Sequence, residues 1–131
     1  MTSTRGAGLG LAALIALASV VGAQTNAVHK TTLQDVAFPP PQFHTTTIRT
    51  VVDQGGQVAP HTHPGIEMGY VLGGHAVLKI SGQPPRSLAA GDSFAVPPHT
   101  VHSVENTGSG PLTMLSAYVV EKGQPVASPA P

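Results

Sequence analysis

Two histidines one residue apart, His61 and His63, followed shortly by Glu67, are the groups in this sequence best placed to do chemistry together. In an extended strand alternate side chains share a face, so the two imidazoles project together with Thr62 opposite. Pro64-Gly65 then bends the chain and can bring Glu67 back to the same point. Two imidazoles and a carboxylate converging in this way suit Fe(II), Mn(II), Ni(II), Cu(II) or Zn(II). A second segment, Gly91 to Asn106, runs a strand into the turn Pro97-Pro98 and offers His99 and then His102. A lone strand histidine is ordinarily just a packed or half-exposed side chain. The glycine ahead of the first pair, the glutamate behind it and the second glycine–proline–histidine block turn the balance toward a ligand cluster.

The remaining chemical groups are weaker candidates. His75 and His99 could stand behind the ligands or shuttle protons, but surface positions suit them better. His44 and His29 precede the two segments, with His29 expected in a mobile leader. Asn106 is better suited to fixing a turn through its side chain than to touching substrate. Tyr70, Phe94, Met114 and Tyr118 fall in strands and read as core or pocket lining, while Glu105 alternates away from His102 and reads as solvent-facing. Metal affinity resting on histidines should fall as pH drops through about 6.

These groups need a rigid frame, and the sequence supplies strands. Thirteen prolines and fifteen glycines interrupt a chain of 131 residues too often for long helices. Between them lie Thr45–Val52, dense in β-branched residues, then Gly69–Leu72, His75–Ile80, Ser93–Val96 and Leu112–Val120. The pair Gly73-Gly74 predicts a hairpin between the second and third of these runs. Many short strands without crossover helices exclude a parallel α/β fold and predict an all-β sandwich or closed barrel.

The ends differ from this body. Arg5, an apolar run from Leu9 to Val21 and the small-residue exit Val21-Gly22-Ala23 predict a secretory signal peptide over 1–23. The run is shorter than the roughly 20 residues that cross a bilayer core, although an uncleaved anchor is the alternative. The expected organisation is then a leader and first strand over 24–40, the barrel over 41–121 and a flexible tail over 122–131, with a secreted, periplasmic protein free of the membrane after cleavage. Lys and Arg total 6 against 6 for Asp and Glu, and charged residues make up 9% of the chain. That balance holds none of the basic patterning nucleic acid requires. Cysteine is absent, which removes disulfides and thiolate sites.

The two segments resemble the paired motifs of the cupin superfamily. Gly55, His61, His63, Glu67 and Gly74 match the first motif, and Gly91, Pro97, His102 and Asn106 match the second. One position departs: the second motif's internal glycine is His99 here, which puts the geometry of that turn in doubt and touches no ligand. The resemblance spans roughly residues 40 to 120, and the short gap between the motifs, Gly74 to Gly91, is similar to that of small bacterial single-domain cupins. It implies a jelly-roll, double-stranded β-helix barrel holding one divalent metal ion per chain through His61, His63, Glu67 and His102, and a homodimer.

Three neutral imidazoles and one carboxylate leave two open positions on an octahedral ion, or close a tetrahedral zinc site. Three functions follow. One is a dioxygenase resembling quercetinase-like cupins, acting on a small neutral or aromatic substrate with Glu67 as the candidate catalytic base. The second is a metal-dependent isomerase, epimerase or lyase. The third is a non-catalytic periplasmic module that binds metal or a small ligand. Oxygenase chemistry is favoured, and it predicts a pocket wide enough for an aromatic or diketone.

Overall fold

A computed structural model describes residues 27–38 and 42–131. The described residues form ten strands and no helix. They are β1 (Val28–Phe38), β2 (Phe43–Val52), β3 (Gln57–Thr62), β4 (Ile66–Gly73), β5 (His75–Ile80), β6 (Arg86–Ala89), β7 (Ser93–Val96), β8 (His102–Asn106), β9 (Leu112–Glu121) and β10 (Ser128–Pro129). Two five-stranded antiparallel sheets face each other, in the orders β1-β2-β9-β4-β7 and β10-β3-β8-β5-β6.

Strict alternation along the strands fills the space between the sheets. On β9 the inward residues are Leu112, Met114, Ser116, Tyr118 and Val120, so one strand runs from apolar core to polar site and back. On β4 Glu67, Gly69 and Val71 point inward. The apolar core gathers Val52, Val71, Ala76, Leu78, Leu88, Phe94, Val96, Val104 and Leu112. The Phe94 ring reaches the middle of the barrel because Gly69 opposite carries no side chain: a Cβ there would sit 2.1 Å from the ring. Asn106 ties the far end together. Its amide donates to the carbonyls of Val52, Asp53 and Gly110, and its carbonyl accepts from the Gly108 N–H, so it fixes the surrounding loops.

Several expectations change. Gly73-Gly74 does not make a hairpin, since β4 pairs with β7 and β9 while β5 pairs with β6 and β8 in the other sheet. Gly74 instead turns a corner between the sheets at φ 90°, packed so that a Cβ would meet Pro111 O at 2.7 Å. His29, expected in a mobile leader, lies instead within β1, which pairs along the length of β2. The carboxy-terminal segment, read from composition as a flexible tail, is laid along the open edge of β3, with Ser128 opposite Thr62 and Pro129 opposite His61. The backbone groups of that edge account for the difference: an edge strand offers unpaired N–H and C=O groups whatever the side chains of the segment that meets them. The signal-peptide reading of 1–23 lies outside the described residues.

Candidate metal centre

The centre is built from two cross-strand pairs, one from each sheet. On one sheet His61 of β3 lies directly opposite His102 of β8. On the other, Glu67 of β4 lies opposite Tyr118 of β9. Residues paired in this way share a face, and here both faces turn inward. His63, just beyond the end of β3, completes the group. A bulge decides His61's direction. Val58 pairs with Val104 and His61 with His102, so three steps along β3 correspond to two along β8. In a regular strand Val58 and His61 would face opposite ways. The extra residue between them, in the stretch holding Ala59 and Pro60, turns both toward the cavity.

The ligand atoms of His61, His63 and His102 lie within 4.8 Å of one another. Glu67 Oε2 is 3.0 Å from His63 Nε2 and 3.1 Å from His102 Nε2. Two donors each about 2.1 Å from one ion, at a right angle, are about 3.0 Å apart. His63, Glu67 and His102 are 2%, 5% and 3% exposed; His61 is half-buried at the mouth.

The proton positions fit a cation. Nδ1 of His61 meets Ala59 O at 2.8 Å, Nδ1 of His63 meets Val126 O at 2.7 Å, and Nδ1 of His102 meets Thr100 O at 3.0 Å. A carbonyl only accepts, so each Nδ1 carries the hydrogen and each neutral ring presents a bare Nε2. Those lone pairs of His63 and His102 converge on a carboxylate, itself an acceptor. Despite its 3.0 Å approach to Glu67, His63 Nε2 has no hydrogen-bond partner. Acceptors crowded against one another in a buried space require a positive charge between them. A divalent ion held by His61, His63, Glu67 and His102 satisfies that requirement.

Electrostatics point the same way. A proton on Nε2 of His102 or His63 can take the cation's place: burial would raise the Glu67 carboxyl, but hydrogen bonds from His102, His63 and Ser116 then outweigh it and hold the group well below the usual carboxylate range. Glu67 is therefore a carboxylate throughout neutral pH. Tyr118 donates to Glu67 Oε1 at 2.9 Å, and its ring lies 4.7 Å from that of His63. Burial, then the Glu67 charge, raises the Tyr118 phenol far above its ordinary value, so it stays a donor. Burial also lowers His61, from 6.5 to about 4, helped by His102, His63 and Lys30 and opposed by the Ala59 carbonyl.

The four residues expected at the site meet there. The others do not. Glu105 faces outward and pairs with Lys79 at 3.1 Å. His75 is exposed in β5. His99 occupies its turn in the left-handed conformation, φ 58°, as the absent glycine would, and its N–H donates to His63 O at 2.7 Å. Tyr118 does more than line the pocket, because it orients Glu67; its inward position was readable from alternation along β9, but its register against Glu67 was not. Lys30, beside His61, and the Val126 carbonyl had no signal in the sequence.

The expected wide pocket is not what the ligands border. The space beside them is about 20 Å³, lined by Thr50, Phe94, Met114, Ser116 and Tyr118 among others, which admits about one water. The Phe94 ring seated against Gly69 forms part of that lining. Outside, a shallow cleft of about 260 Å³ runs between Lys30, Pro60, His61, Ala127 and Pro129. Lys30 and His61 line both spaces and so stand at the passage between them.

A family model for the Cupin domain matches residues 48–118. An uncharacterized conserved protein with a double-stranded beta-helix domain from Klebsiella pneumoniae is similar in fold, with TM-score 0.67 and 20% identity over 79% of this chain and 84% of that one. An oxalate oxidase in complex with the substrate analogue glycolate aligns with TM-score 0.61 and 26% identity over 75% of this chain and 56% of that one. The HTH-type transcriptional regulator PuuR of Escherichia coli strain K12 is 43% identical over 56 residues, which is 43% of this chain but 30% of the regulator. The chain thus spans under a third of that relative.

Proposed function

The chain belongs to the Cupin domain family, and we propose that it is a metal-dependent enzyme that carries out oxygenase or oxidase chemistry on a small, carboxylate-bearing substrate. The observation that carries this reading is the set of three imidazoles, each with Nδ1 given to a backbone carbonyl, whose bare Nε2 atoms converge with Glu67. A bound divalent ion would supply Lewis acidity and, if redox-active, a route for electrons to oxygen. The protein's own part is positional. Glu67 stays ionised, Tyr118 holds its second oxygen, and Phe94 and Met114 limit the water beside it. The narrow inner space supports a small substrate over a flavonol-sized one. Lys30 at the passage favours an anion, and the likeness to an oxalate oxidase agrees with both.

The test is elemental analysis of purified protein with oxygen uptake on small carboxylates, set beside a flavonol. Near one iron, manganese, copper or nickel per chain, with uptake on a small carboxylate alone, is the expected result. E67Q should keep the barrel folded and lose metal affinity by about tenfold or more. Full metal retention in E67Q removes Glu67 from the ligand set, and stoichiometric metal without turnover overturns the enzyme reading.

The likeness to PuuR, a regulator by name, favours a second reading in which the same centre binds a small ligand without turning it over. We further propose export through the segment 1–23, checked by amino-terminal sequencing of protein from the periplasm. A homodimer is proposed through the outer face of β4, where Ile66, Met68, Tyr70 and Leu72 stand exposed.

A further inference from the structure

His63 and His102 are both buried, and His63 is held differently from the other two histidines of the site. The Nδ1 atoms of His61 and His102 donate to carbonyls two residues earlier in their own chain segments, Ala59 and Thr100. His63 has no such local partner. Its Nδ1 donates at 2.7 Å to the carbonyl of Val126, sixty-three residues away in the carboxy-terminal segment. That segment leaves β9 through a turn closed by Gln124 N–H on Glu121 O, and then pairs with β3. Ala130 N–H donates to Pro60 O at 3.1 Å, beside the bulge that aims His61. Ala127 and Pro129 meanwhile form one wall of the outer cleft, facing Lys30 and His61.

We propose that residues 124–131 are a positioning strap for the metal centre: the Val126 carbonyl fixes His63 with Nε2 bare and aimed inward, and the strap completes the mouth through which substrate reaches His61. The inference rests on reading the site as a metal centre. Without the Val126 carbonyl the His63 ring has no acceptor for Nδ1–H. It is then free to carry its hydrogen on Nε2, the nitrogen that must face the ion. Partners of this kind behind a metal ligand are worth about 10–100-fold in metal affinity. A strap that merely covered the β3 edge would instead change stability and leave the ring alone.

The two roles separate in nitrogen-15 spectra of the metal-free protein labelled at histidine, comparing the full chain with one ending at Lys122. In the full chain His63 should show a protonated Nδ1 and an unprotonated Nε2. In the shortened chain His63 should lose that pattern while His102, held by Thr100, keeps it, and Co²⁺ titration should show affinity about 10–100-fold weaker. Unchanged His63 resonances overturn the proposal, as does a His102 signal that moves equally. Should the shortened chain fail to fold, a chain ending at Pro125 decides, because it keeps the turn after β9 and removes Val126 and the residues after it. A shift confined to His63 supports the strap, and no shift overturns it. If the full chain binds no Co²⁺, the metal reading falls, while the His63 resonances still decide whether the strap positions the ring.

Discussion

His61 sits where the cavity opens, and its surroundings set when it can act as a ligand. Between pH 6.5 and about 4 the folded protein keeps this imidazole neutral. An unfolded chain takes up a proton there, so the unfolded state binds more protons and stability falls as pH descends through that window. For metal-free protein, the urea midpoint of wild type should decline relative to H61N between pH 6.5 and 4; a constant difference would show that burial does not hold His61 neutral. The same shift means that His61 is not lost as a ligand at pH 6, as a free imidazole would be, but only near 4. The four residues that meet at the site were legible because spacing and chemistry coincide: His61, His63 and Glu67 fall within seven residues of one another, and His102 follows a proline turn. Lys30 and Val126 were not legible. One acts through proximity to His61 and the other through a backbone carbonyl, and neither leaves a signature in residue type.

Among the strands that carry the site, β3 has its irregularity next to a site residue. The β3 bulge around Ala59-Pro60 lets Val58 face inward together with His61, which alternation from His63 already placed on the inner face. β5 and β7 were readable to the residue because apolar alternation and flanking glycine or proline mark both ends. The β4–β5 connection was misread for a physical reason: a glycine pair serves equally for a hairpin and for a corner between sheets, and only the distant β9 and β8 decide which. The turn before β8 carries strain of its own, since His99 holds φ 58°. A side chain in that region costs about 1–2 kcal/mol, against about 0.5–1 kcal/mol of extra unfolded-state entropy for glycine. H99G should therefore raise stability by about 0.5–1 kcal/mol and Tm by a few degrees, with the N–H to His63 O kept. A lowered Tm would mean that the His99 side chain contributes more than its backbone costs.

Seen whole, the molecule has an apolar core between its sheets and one outer face that resembles an interior. Ile66, Met68, Tyr70 and Leu72 project outward from β4, and their partners on β9 are Val119 beside Ile66, Ala117 beside Met68 and Leu115 beside Tyr70. Such a continuous apolar face fits contact with a second copy better than water. M68K should turn a dimer into a monomer in sedimentation, through loss of about 2 kcal/mol of burial per copy, while metal content holds because Glu67, the next residue, faces the other way. A wild-type chain that sediments as a monomer would remove the dimer. The arrangement of the centre also bears on time. His61 and His102 come from one sheet and Glu67 from the other, so the ligands assemble only once the two sheets have docked, after the slow, long-range pairings are made. An ion captured by such a centre arrives too late to hasten folding. Once bound, it would act as a latch on the finished barrel, lengthening the lifetime of the folded chain by slowing its unfolding.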